Sequence, residues 1–173
     1  MNLRRIHITM PRAPKTIIAV AKRRPLVPKG PSNRRPQKER AYSKYRQTRQ
    51  DKGCDFCQFE INQPEDIIET TKHFVIVKNK FQYDLWDGCP VSEHFLISPR
   101  RHVRSISEFT ADEKADYLDI LCAYESNGYS IYARSDLDFT KSVVHQHTHL
   151  IKLVDKRLKS IVYMQRPHVL IYH

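Results

Sequence analysis

The chain has 173 residues, 40% of them hydrophobic, a size that suits one domain with an extension. Its longest apolar runs, TIIAVA (16–21) and HFVIV (73–77), fall far short of a bilayer span, so a soluble protein is expected. The net charge of +11 is unevenly spread: residues 1–52 hold sixteen Lys and Arg against Glu39 and Asp51, a balance of +14, which leaves −3 for residues 53–173.

Residues 1–52 contain six prolines and little apolar periodicity. Such a segment buries too little surface to offset its ordering entropy, so a disordered basic arm is expected. Three uses are open to it. It can bind nucleic acid through phosphates, with Tyr42 and Tyr45 stacking on bases. It can keep the protein soluble. It can also be an organelle transit peptide, because the first 38 residues are Arg-rich and acid-free. No secretory signal is visible, so the cytoplasm is the expected location, with an organelle as the alternative.

From Gly53 the texture changes, and residues 53–173 form the candidate domain. Of the four cysteines, Cys54 and Cys57 make a C-x-x-C pair. In a reducing compartment that pair suggests metal or redox chemistry rather than a disulfide framework. A redox reading lacks the βαβ context it needs. Cys89 and Cys122 read as a loop thiol and a helix core residue. HFVIVKN (73–79) and EHFLIS (93–98) have the β-branched and aromatic content of strands. The segment between them (80–90) reads as a loop turning at Asp87-Gly88. Arg100 and Arg101 read as a solvated basic turn.

Residues 107–128 predict a long helix. Thr110 is its N-cap, Glu113 completes a capping box, and Asn127-Gly128 ends it. Its apolar stripe is Tyr117, Leu118, Leu121 and Cys122. YSIYAR (129–134), SVVHQHTHLIKLV (142–154), SIVYMQ (160–165) and VLIYH (169–173) read as strands. Strands outnumber helices and the links are short, which predicts an α+β domain: an antiparallel sheet with one long helix packed on it.

VVHQHTHLIK (143–152) carries His145, His147 and His149 on alternate residues. In a strand such residues share one face, about 6.5–7 Å apart. A central imidazole can then attack while its neighbours hold phosphate oxygens. The same row can also bind a catalytic metal. His7, His73, His168 and His173 read as surface or packing residues.

HQHTHLI resembles the signature of the histidine-triad (HIT) family of nucleotide hydrolases and transferases. Four further blocks occur in the family's order: CDFC (54–57), VIVKNKFQY (75–83), EHFLISPRRHVRSISEFT (93–110) and SVVH (142–145). The resemblance covers about residues 54–154. It implies a HIT-like antiparallel sheet and cleavage or transfer at the α-phosphate of a nucleotide, through a covalent nucleotidyl-histidine. Dinucleoside polyphosphates, phosphoramidates and acyl adenylates are the substrate classes it admits.

The resemblance implies His147 as the nucleophile, a role suited to a neutral imidazole. His149 would stabilise charge on the phosphate, with imidazolium among its forms. His94 would support the triad or face the phosphate. Ser142 would hydrogen-bond a phosphate oxygen, and Asn79 the ribose hydroxyls. Zinc-bearing members complete a Cys₂His₂ structural site, here Cys54, Cys57, His102 and His145. A homodimer is compatible with the resemblance.

Two departures stand out. Gln146 and Thr148 occupy positions that are usually apolar, so the back of the triad strand is expected to meet solvent, a subunit or the arm. Residues 129–141 lack the family's glycines, and Lys141 is the candidate replacement for a phosphate contact. The alternative function is a non-catalytic module that binds nucleotide or nucleic acid through the arm. A metallohydrolase using the triad itself as metal site is the other rival.

Overall fold

The computed structural model describes residues 33–48, 53–156, 161–165 and 168–172. The rest of the arm, with the transit-peptide reading, lies outside the described residues. A helix, α1 (Pro36–Thr48), is followed by a 3-10 turn (Asp55–Gln58) and a short helix, α2 (Phe59–Asn62). Strands β1 (Ile67–Thr70), β2 (Phe74–Lys78), β3 (Leu85–Trp86) and β4 (Cys89–Pro99) come next. Then come helix α3 (Ala111–Ser126), β5 (Tyr129–Ala133), β6 (Thr148–Leu153), β7 (Ile161–Gln165) and β8 (His168–Tyr172).

The main sheet has the order β1-β2-β4-β6-β5, antiparallel throughout, as expected of the α+β class. The short β3 pairs with the start of β4 inside the expected 80–90 loop. Asp87 and Gly88 form the two-residue link between them. Both have positive φ, 49° and 74°, which is the backbone such a tight hairpin demands. β7 and β8 pair antiparallel in a separate two-stranded sheet.

Strand alternation divides the sheet into two faces. On one, Phe74, Ile76, Ile97 and Leu150 pack with Tyr117 and Ile120 of α3. On the other, Val75, Val77 and Leu96 pack with Phe56 and Phe59. Burying each large apolar side chain contributes about 1.5–3 kcal/mol, so both layers are needed to hold so small a domain. The α3 cap is as expected: Glu113 N–H donates to Thr110 Oγ1 (3.2 Å) and Thr110 N–H donates to Glu113 Oε2 (2.8 Å). The stripe is not. Tyr117 is buried, but Leu118 is 59% exposed and Cys122 is exposed, because the helix turns Ile120 to the sheet instead.

Arg101 is not a simple solvated turn residue. Its guanidinium grips Glu113 through Nε (3.0 Å) and Nη2 (2.7 Å), tying the loop before His102 to α3. Those bonds to Arg101, helped by the cap, lower the Glu113 carboxyl to about 2.

Three further expectations need correction. The triad strand begins only at Thr148; His145 and His147 lie in the lead-in, because residues 144–147 bend to reach the C-terminal end of β4. The back of this segment is buried, not solvated. Thr148 is 1% exposed and shares a 2.7 Å hydrogen bond with Tyr117 Oη, while Gln146, 2% exposed, accepts from Lys141 Nζ (3.1 Å). The arm is not disordered throughout, since residues 36–48 form α1. Its polar contacts explain the docking: Lys38 Nζ pairs with Asp84 (2.6 Å), Arg35 N–H donates to the same carboxylate (2.7 Å), and the Tyr42 and Tyr45 rings both lie 5.2 Å from Phe81.

The Tyr117–Thr148 pair generates a test by double-mutant cycle. Thr148→Val alone should destabilise by about 1–3 kcal/mol, because a buried phenol loses its partner. Adding Tyr117→Phe should recover part of that loss, read as a coupling energy in urea unfolding.

Candidate active site and metal centre

Four ligand-type atoms converge where the 3-10 turn, the β4 exit and the triad lead-in meet. Cys57 Sγ lies 3.1 Å from His102 Nδ1 and 3.4 Å from His145 Nδ1, Cys54 Sγ lies 3.4 Å from His145 Nδ1, and the two Nδ1 atoms are 3.2 Å apart. All four atoms fall within 4.8 Å of one another. A tetrahedral ion with bonds of about 2.0–2.3 Å sets its ligand atoms about 3.3–3.8 Å apart, so the group fits one.

The chemistry of the donors agrees. His145 Nε2 lies 2.9 Å from the Pro99 carbonyl, which only accepts, so Nε2 carries the proton and the Nδ1 lone pair faces the cluster. Burial lowers this imidazole to about 4, keeping it neutral. Burial and the neighbouring Cys54 push the Cys57 thiol up to about 11, a cost that a bound cation would reverse. These four residues are therefore positioned to bind a metal ion, as the sequence grouped them.

His147 sits one step along. Its Nδ1 lies 2.9 Å from the His145 carbonyl and donates to it. The lone pair is thereby placed on Nε2, which has no hydrogen-bond partner among the described residues. The residue is 7% exposed, and burial lowers its pKa, so the neutral ring is favoured. Phe56, brought in by the Cys54–Cys57 turn, rests against the rings of both His147 (4.9 Å) and His145 (5.6 Å).

A relay fixes His149. Tyr83 N–H donates to His94 Nδ1 (3.0 Å), so the His94 proton is on Nε2 and is donated to His149 Nδ1 (2.8 Å). His149 is left with its N–H at Nε2. Burial drives its pKa well down, with the charges of His147 and His94 adding to the effect. The neutral donor form therefore replaces the imidazolium that the sequence admitted. β4 and β6 set this contact: His94 stands opposite Ile151, diagonal to His149 on the same face.

His94 itself is 0% exposed with both ring nitrogens engaged, one by the Tyr83 amide and one by His149. Asn79, 8% exposed, accepts from Phe81 N–H (3.0 Å) and holds Nδ2 3.1 Å from His94 Nε2. Its carbonyl oxygen holds the turn, while Nδ2 meets the protonated His94 Nε2 donor to donor and adds no hydrogen bond to the relay. Ser142 Oγ lies 2.5 Å from Tyr42 Oη of α1. Sequence reasoning missed this approach of the arm to the site. The spacing of Lys38, Tyr42 and Tyr45, one face of α1, was the available signal. A cavity of about 590 Å³ is lined by residues 105–108 and 133–137 with Gln146; no triad histidine lines it.

The relay makes a pH prediction. Burial, then the charges of Arg34, His147 and Lys38, lower His94 from 6.5 to about 3. Its folded value lies below its unfolded one, so the stability it contributes is present above pH 6.5 and is lost as pH falls from 6.5 toward 3. Nitrogen NMR should show His94 as a non-titrating Nε2–H tautomer between pH 5 and 8; a midpoint inside that range would contradict the relay.

No family model matches the sequence, and no curated protein matches it. Among solved structures the chain is similar to a HIT family hydrolase from Clostridium thermocellum, at 21% identity over 62% of this chain and 96% of that one, with a TM-score of 0.48. It is similar to a histidine triad nucleotide-binding protein from Candida albicans, at 18% identity over 60% and 77%, with a TM-score of 0.47. It is also similar to a diadenosine triphosphate hydrolase from Plasmodium falciparum, at 18% identity over 58% and 68%, with a TM-score of 0.43.

Proposed function

We propose that this chain binds a nucleotide and cleaves or transfers at its α-phosphate, with His147 as nucleophile. The observation that carries the reading is the hydrogen bond from His147 Nδ1 to the His145 carbonyl, which leaves the Nε2 lone pair available. Attack by Nε2 forms an N–P bond as the bond from phosphorus to the leaving group breaks, and the leaving group departs with the electron pair. Water or another acceptor then attacks phosphorus, loses its proton to solvent and releases the histidine. His149 Nε2–H serves as a donor to a phosphoryl oxygen throughout, which stabilises charge where it grows. Ser142 supplies a second hydroxyl donor once Tyr42 releases it.

Zinc is the ion we assign to the Cys₂His₂ group, because two thiolates and two imidazoles in tetrahedral spacing are its usual closed set. When bound it supplies structural support rather than a reactive position. His145 then anchors the lead-in and leaves His147 free. A metallohydrolase built on the triad is not favoured, because the cysteines gather His145 while His147 and His149 point elsewhere.

The test is turnover of diadenosine polyphosphate, adenosine phosphoramidate and an aminoacyl-adenylate analogue by wild type and His147→Ala. The variant should be at least about a hundredfold slower on whichever compound the wild type uses. Binding of AMP by both proteins without turnover by either would support the non-catalytic module instead. Elemental analysis should find one zinc per chain, lost in Cys57→Ser. Chelation should unfold the domain along with its activity, whereas a folded but inactive apoprotein would make the metal catalytic.

A further inference from the structure

Two arginines from distant parts of the chain reach the same aromatic group beside His149. Arg34, from the arm, donates through Nε to the Phe81 carbonyl (2.7 Å). Its guanidinium lies 4.8 Å from the Tyr83 ring centroid and 4.3 Å from that of Tyr42. Arg134, just after β5, lies 5.2 Å from the Tyr132 centroid. The Tyr83 and Tyr132 rings in turn lie 5.6 Å and 5.7 Å from the His149 ring. The two cations thus flank the imidazole expected to meet phosphate, each one ring away from it.

Each arginine already holds an acidic partner through a single Nη1–oxygen contact: Arg34 pairs with Glu39 at 3.3 Å and Arg134 with Asp138 at 3.2 Å. A phosphate offers a guanidinium two acceptor oxygens and more charge than a single carboxylate contact. The chain also has no glycine from Tyr129 to Lys141, so this stretch offers charged side chains in place of a close-approaching glycine backbone.

We propose that Arg34 and Arg134 are specificity-determining residues that select nucleotides whose leaving group carries further phosphate, and that the arm is therefore part of the active site. The proposal rests on the nucleotide-cleaving reading given above. It separates substrates that reading leaves together: a polyphosphate leaving group gains from both arginines, whereas ammonia or a neutral amine leaving from a phosphoramidate gains nothing.

The experiment compares kcat/KM for diadenosine tetraphosphate and adenosine phosphoramidate in wild type, Arg34→Gln, Arg134→Gln and the two Lys variants, with circular dichroism to verify folding. Each Gln variant should lose about tenfold to a hundredfold on the tetraphosphate, the worth of a charged hydrogen bond, and less than about twofold on the phosphoramidate. The Lys variants should recover only the part of the loss due to charge alone, and added salt should weaken only the tetraphosphate reaction. Equal losses on both compounds, or no loss on either, would overturn the proposal. If wild type turns over neither of these nor the aminoacyl-adenylate analogue, the cleavage reading fails, and calorimetry of AMP and ATP binding decides the arginines alone. A preference for ATP that disappears in the Gln variants supports the proposal; its persistence refutes it.

Discussion

The site depends on where His145 is held. Its Nδ1 joins the cysteine and His102 cluster, its Nε2 donates to the Pro99 carbonyl, and its own carbonyl accepts from His147. One residue thus connects a ligand cluster, the end of β4 and the neighbouring imidazole. Moving it by an ångström would loosen all three, because each contact is a hydrogen-bond distance that weakens steeply with misalignment. The bend in residues 144–147 follows from this. A continuous ladder would carry the histidines straight along β6, whereas the pull toward Pro99 takes the lead-in off the sheet.

The sheet separates support from chemistry. The α3 face is apolar, finished by the Tyr117–Thr148 hydrogen bond and the Glu113–Arg101 grip. The opposite face carries the imidazoles, whose neutral state follows first from burial and then from the positive charges around them. The tautomers are set from one fixed donor: the Tyr83 amide takes the His94 Nδ1 lone pair, which puts the His94 proton on Nε2, facing His149 Nδ1.

Much of this was legible in the sequence. Capping residues, the Asp87-Gly88 turn and the β-branched runs are local signals, and the structure contains all of them. The ligand cluster was legible only through the family resemblance, because Cys57, His102 and His145 are far apart in the chain and only the fold assembles them. The misses have tertiary causes. Gln146 and Thr148 look solvated in one dimension but find buried partners in Lys141 and Tyr117. The α3 stripe keeps Tyr117 and Leu121, but packing selects Ile120 over Leu118. Composition marked residues 36–48 for disorder, yet Asp84 and Phe81 give the helix a place to dock.

The bond that orients His147 has a bearing on how this chain tolerates change. Many imidazoles in enzymes are oriented by a carboxylate, and a single substitution can delete that group. Here the acceptor is a main-chain oxygen, which every amino acid carries. No side-chain replacement at position 145 can delete the oxygen itself, only displace it. Drift in sequence can therefore erode the metal cluster or the arm long before it reverses the ring's proton. The orientation of the central imidazole should be among the last properties that a diverging descendant loses.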